Sequence, residues 1–317
     1  MNYEPPLAYF SSHIETIFPA LFRKVKDIKY QRERIDTPDD DFLDLDWLRK
    51  DSKKLVIISH GLEGNSTRPY IKGMARAFFR YGYDVLAWNF RGCSDEINKQ
   101  LRFYHSGATD DLNLVVDHAS QKGYKDICLI GFSLGGNLTL KYVGEQGPEI
   151  KNTISKAVAF SVPLDLYSSC IKISESSNFI YSRRFLNNLK AKVLLKAQTM
   201  PGKLGTGALS KIKTIQDFDD HYTAPLHGFK NALDYYNACS SINFLKNISI
   251  PTLIVNAKND PFLSQQCYPH EMLKGHPCIT FEAPERGGHV GFTEFNKEGL
   301  YWSEKRALSF AEGKLPG

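Results

Sequence analysis

The sequence predicts an α/β fold: a mostly parallel central sheet flanked by helices, with a mainly helical cap inserted in the middle of the chain. Three observations carry that prediction. Short apolar runs alternate with helix-patterned runs from Phe42 onward, the signature of parallel strands joined by crossover helices. One apolar run ends in Gly131-Phe132-Ser133-Leu134-Gly135 and passes straight into a helix-compatible run. After Ser161-Val162-Pro163 the rhythm stops: roughly eighty residues carry helical patterns and loops but no clear buried strand.

Phe42 to Trp47 alternates apolar and acidic residues, as a strand with one wet face would. Leu55-Val56-Ile57-Ile58-Ser59 is a continuous apolar run, expected of a strand buried on both faces. Ile71 to Tyr81 reads as a helix closed by Gly82, and Asp84 to Trp88 as the next strand. Asp110 to Lys122 places Leu112, Val115, Val116 and Ala119 on one helical face. The strand from Ile127, the helix from Gly135 and a strand over Ala157–Ser161 follow. Beyond the insertion, strands are expected at Thr252–Asn256 and Cys278–Ala283, and a closing helix from Tyr301 to Glu312. The 317 residues then form one domain (1–317) with an inserted helical cap subdomain over 163–245.

Gly-Phe-Ser-Leu-Gly between a strand and a helix is a turn with chemical purpose. A serine in a strained, positive-φ turn leaves no room for side chains two residues away, which accounts for Gly131 and Gly135. The turn lifts the Ser133 hydroxyl off the sheet and directs helix-start N–H groups toward a developing oxyanion. A bare G-x-S-x-G arises by chance in about a tenth of chains this long, so the partners decide its meaning.

A nucleophilic serine needs a base, an orienting acid and an oxyanion hole. His289, in the flexed loop Arg286-Gly287-Gly288-His289-Val290-Gly291 after the last strand, is the expected base. Asp260 follows the strand Thr252–Asn256 in Ala257-Lys258-Asn259-Asp260-Pro261 and is the favoured acid in the chain order Ser…Asp…His. Asp165 is the rival, although it reads better as a cap on the insertion's first turn. His60-Gly61-Leu62-Glu63-Gly64 follows another strand, so the backbone N–H of Leu62, paired with that of Leu134, is the expected oxyanion hole. His60 and His105 read as loop-bracing residues, and Arg91 as one that pins a strand-end loop through carbonyls.

Bulk properties narrow the classes further. Hydrophobic residues make up 42% and aromatics 12%, which argues against global disorder. The start Met1-Asn2-Tyr3-Glu4-Pro5-Pro6 lacks a secretory pattern and no apolar run approaches a bilayer span, so a cytoplasmic protein is expected. The six cysteines show no metal-type spacing, and neither a metal nor an organic cofactor is expected. Net charge is +5, yet Ser176–Gln216 alone holds eight basic and no acidic residues, leaving −3 for the rest. That block lacks interleaved stacking aromatics, which counts against nucleic acid. It reads as a solvated basic helix or, more sharply, as a contact for anionic lipid. The pattern carries no signal of oligomeric state.

Finer motifs resemble the YheT-like hydrolases of the α/β-hydrolase superfamily over nearly the whole chain. They are His13-Ile14-Glu15-Thr16-Ile17-Phe18-Pro19, Asp41-Phe42-Leu43-Asp44-Leu45-Asp46-Trp47, Ser59-His60-Gly61-Leu62-Glu63-Gly64, Asn89-Phe90-Arg91-Gly92-Cys93-Ser94, Tyr104-His105-Ser106-Gly107 and the insertion's Phe218-Asp219-Asp220-His221-Tyr222-Thr223-Ala224-Pro225. The resemblance implies a serine hydrolase of fatty-acyl or other carboxylic esters with Ser133, Asp260 and His289 as its triad. Some relatives carry an N-terminal membrane anchor; none is seen here, so an intrinsic membrane location is not carried over. Asp40 stands where relatives often have Gly. An acyltransferase with the same triad, or a non-catalytic binding protein of this fold, are the alternative readings, and the presence of all three residues counts against the second.

Overall fold

The computed structural model describes residues 3–313; the outer ends of the predicted 1–317 domain, Met1–Asn2 and 314–317, lie outside the described residues. Eight strands form one sheet: β1 (Gln31–Asp36), β2 (Phe42–Leu48), β3 (Lys54–Ser59), β4 (Asp84–Asn89), β5 (Asp126–Phe132), β6 (Ile154–Phe160), β7 (Thr252–Val255) and β8 (Ile279–Glu282). Their spatial order is β1-β2-β4-β3-β5-β6-β7-β8. The β1–β2 and β2–β4 pairs are antiparallel; β3 pairs parallel with β4 and β5, and pairing stays parallel on to β8. Because β3, β4 and β5 run parallel, the chain must cross over between them, through helices α2 (Pro69–Arg80) and α3 (Thr109–Gln121), while α4 (Leu134–Gln146) leads from β5 to β6.

The continuous apolar run of β3 is buried on both faces, as expected. Leu55 and Ile57 join one core with Leu129 of β5 and with α3. Val56 and Ile58 join the other, with α2 and the closing helix Trp302–Ala311. The wet face expected of β2 is not wet. Asp44 and Asp46 are buried because β1, a strand without a sequence signal of its own, sets Arg34 and Arg32 directly across from them. Each guanidinium grips its carboxylate at two points, Arg32 with two contacts of 2.9 Å and Arg34 at 2.8 and 2.9 Å. Asp40 in the β1–β2 turn has φ 58°, a conformation that glycine adopts without cost.

Between β6 and β7 the chain forms α5 (Leu166–Ile173), the long α6 (Phe179–Thr199), a π-helical turn over Asp219–Thr223 and the helix Ala232–Cys239. These pack into two apolar clusters shared with the strand-end loops, one around Tyr235, Tyr236 and Phe262 of the loop after β7, the other around Leu186, Val193, Phe218 and Phe103 of the loop after β4. An N-terminal helix, α1 (Ser12–Phe22), runs against the β8-side loop.

Candidate active site

Ser133 follows β5 directly and precedes the first residue of α4, with φ 54° and ψ −121°. The chain can make that turn only without side chains two residues to either side. A Cβ on Gly131 would collide with the Gly135 carbonyl, and one on Gly135 with the His60 carbonyl. Ser133 is fixed from the next strand by its own N–H, which donates to Phe160 O at 2.9 Å.

The loops after β7 and β8 bring Asp260 and His289 to it. His289 Nδ1 lies 2.8 Å from Asp260 Oδ2 and 3.1 Å from Oδ1, and Nε2 lies 2.9 Å from Ser133 Oγ. A carboxylate only accepts, so the proton sits on Nδ1 and the Nε2 lone pair faces the serine hydroxyl. The Asp260 side chain is fully buried and takes a further hydrogen bond from Phe262 N at 2.9 Å. The Phe262 ring covers the imidazole at 4.2 Å, shielding it from water.

Leu62 and Leu134 line the same cavity as Ser133 and His289. Leu134 opens α4, so its N–H has no acceptor within the helix. In the β3 loop, Gly61 N–H donates to Tyr70 Oη, Glu63 N–H to Tyr104 Oη and Gly64 N–H to Gly61 O. Among the described residues Leu62 N–H has no such acceptor, which leaves it available beside the serine. His60 braces this loop. Its Nε2 accepts from Phe90 N–H at 3.1 Å and its Nδ1 donates to Gly61 O at 2.8 Å. Burial pushes its pKa down to about 3, so the ring is neutral.

The structure adds residues to which sequence pattern assigned no role. Glu15 of α1 is buried and accepts from Gly287 N–H and Asn259 Nδ2, each at 2.8 Å, while Arg286 pairs with it at 2.5 Å. Thr16 Oγ1 receives the His289 N–H at 2.9 Å, and Ser161 Oγ receives Val290 N–H at 2.9 Å. The His289 loop therefore hangs from the N-terminal helix. The motif His13-Ile14-Glu15-Thr16 was the visible signal, but nothing in it names a partner so far along the chain.

Other singled-out residues find structural places. Asp165 caps α5, accepting from Ser168 N–H at 2.8 Å. Arg91 pins its loop through the carboxylates of Asp39, Asp41 and Asp111 rather than through carbonyls. His105 packs against His227 in the wall of the cavity, and the buried carboxyl of Asp219 in the same wall is pushed up to about 6 by desolvation. In the basic block, three lysines turn inward. Lys190 donates to Ile212 O, Lys192 pairs with Glu63 at 2.8 Å, and fully buried Lys196 donates to Asn98 O and Gln100 O. Among the described residues no cluster of His, Cys, Asp and Glu is arranged to hold a metal.

Two cavities meet at Ser133, His289 and Leu62. One lies beneath the β6–β7 insertion and is walled by apolar residues such as Leu166, Ile173, Phe185, Leu189 and Phe218. The other runs between α1 and α6 past Ile17, Leu21, Arg68, Ile180 and Arg184.

Residues 50–276 match the family model described as serine aminopeptidase, S33. The protein named YheT of Escherichia coli (strain K12) is 35% identical over 90% of this chain and 86% of its own length. The medium-chain fatty acid ethyl ester synthase/esterase 2 of Saccharomyces cerevisiae is 29% identical over 84% of this chain and 64% of its own. Among solved structures, the esterase Pf2001 of Pyrococcus furiosus superposes with a TM-score of 0.61 over 92% of this chain and 95% of that one. At 19% identity that likeness speaks for the fold alone.

Proposed function

The chain belongs to the serine aminopeptidase S33 family of α/β hydrolases, the family it shares with YheT, and on that premise we propose that it cleaves small carboxylic esters with an apolar, fatty-acyl side. One observation carries the reading: the hydrogen-bonded line from Asp260 through His289 to Ser133 at the junction of an apolar cavity. Ser133 Oγ attacks the ester carbonyl while His289 Nε2 takes its proton, and Asp260 holds the imidazole in the tautomer this requires. The amides of Leu62 and Leu134 receive the oxyanion, each contributing on the order of 3 kcal/mol to the transition state. Collapse expels the alcohol, protonated by His289, and leaves an acyl-serine that water hydrolyses by the same steps in reverse. In this reading the 163–245 insertion is a cap whose cavity holds the acyl chain.

The yeast relative's name, synthase as well as esterase, favours a second reading in which an alcohol replaces water at the acyl-serine. Turnover of p-nitrophenyl esters from acetate to laurate tests both. Longer chains are expected to outperform acetate, and Ser133→Ala to lower kcat by about 10⁶-fold. Added ethanol that yields ethyl ester selects the second reading. Absence of turnover at every chain length would sink both.

A further inference from the structure

Helix α1 is amphipathic in reverse. Its polar Glu15 and Thr16 point into the protein, while Phe18, Leu21 and Phe22, at helical spacing, point to solvent. Beside it Leu7 and Phe10 are exposed, and Tyr9 packs on both Phe18 and Phe295 at 5.4 and 6.2 Å, gathering the exposed Phe295 into the same surface. Across the second cavity, α6 begins with exposed Phe179 and Ile180. His13 of α1 and Tyr181 of α6 are hydrogen-bonded at 3.1 Å, so the two helices share one face. Leu21 and Ile180 line the passage that reaches Ser133. Large apolar side chains concentrated around one opening mark a surface built to be covered.

We propose that this α1–α6 face docks on an anionic lipid surface with the second cavity opening into it. Exposed Lys24 and Lys26 follow α1, and exposed Arg183 and Arg184 follow the two apolar residues of α6; of the acids beside them, Asp27 adjoins Lys26, while Glu175 and Glu294 are paired with Lys172 and Lys305. Apolar side chains flanked by cations are what an interfacial helix presents to headgroups and acyl chains. Among the described residues no helix is long and apolar enough to cross a membrane, so the contact is peripheral. Of the basic residues on α6, only Arg183 and Arg184 at its start take part, since Lys190, Lys192 and Lys196 are engaged inside. Docking by this face does not depend on the hydrolase reading.

Flotation of the full chain with phosphatidylcholine vesicles, with and without phosphatidylglycerol, tests the proposal. Wild type is expected to float with the anionic vesicles, and Phe10→Ser/Phe22→Ser, neither of which lines a cavity, to lose about tenfold in partitioning. Lys24→Gln/Lys26→Gln should weaken binding to anionic vesicles only. Wild type that stays in the lower fraction, or a Phe variant that floats equally, overturns the proposal. So does a wild-type dimer in light scattering that the Phe variant dissociates, which would assign the face to a second copy. Hydrolysis of p-nitrophenyl acetate without vesicles, unchanged in both variants, reports their folding. Its absence in wild type would sink the hydrolase reading and leave the docking result standing.

Discussion

The strand-end loops and the insertion facing them meet at one serine, yet different forces hold them. Around Ser133, Asp260 and His289 the backbone itself is tied down: the N–H groups of Ser133, Gly287, Gly288, His289 and Val290 each donate to a named oxygen. The insertion is held mainly through side chains: apolar clusters, the lysine anchors Lys192 on Glu63 and Lys196 on Asn98 and Gln100, and hydrogen bonds such as Asn178 Nδ2 to Pro261 O and Asn137 Nδ2 to Cys239 O. Fixed hydrogen bonds suit a site where an ångström of drift is costly. Packing suits a cover that selects by shape.

Cutting one brace should hurt chemistry most. Glu15→Ala leaves Gly287 N–H, Asn259 and Arg286 without their acceptor, so kcat on a short ester is expected to fall about a hundredfold with KM little changed. Stability lost with kcat intact would mean that the His289 loop stands without α1, and the contrast would fail. The next effect is an acid slope. Neutral His60 titrates at about 3 when folded and near 6.5 when unfolded, so its contribution is full above pH 6.5 and declines as pH falls toward 3. The stability gap between wild type and His60→Gln, from urea midpoints, should narrow by about 2 kcal/mol between pH 6.5 and 4.5. A gap that stays constant would remove His60 as a buried neutral brace.

Lys196→Met probes the other region and should do least. Burial lowers the Lys196 pKa to about 8, so wild-type stability gains as pH rises from 8 toward 10.5, where only the unfolded chain still holds that proton. The variant should lose that rise and about 1–2 kcal/mol at neutral pH, while acetate turnover stays within about twofold and chain-length preference shifts. A large loss on acetate would show that the insertion positions the reacting atoms as well as covering them.

What was legible follows the same division. Ser133, His289 and Asp260, which the structure brings into hydrogen-bond contact, each carry a local signal: flanking glycines or a turn at the end of an apolar run. Glu15 and Thr16 do not, because their contacts span 244 and 273 residues and no local pattern encodes such a pairing. Strand β1 escaped because Gln31-Arg32-Glu33-Arg34-Ile35-Asp36 has almost no apolar content; its purpose is to neutralise Asp44 and Asp46. The same omission made β2 look half wet. Lys196 was legible in principle, since it sits three residues beyond Val193 on the buried stripe of α6. Its charge concealed it.

The most direct test is intact-mass and peptide analysis after reaction with a fluorophosphonate probe. One adduct, mapped to Ser133 and lost in His289→Ala, is the predicted result. An adduct on another serine, or a folded protein that takes none, would contradict the account of Ser133 as the activated nucleophile.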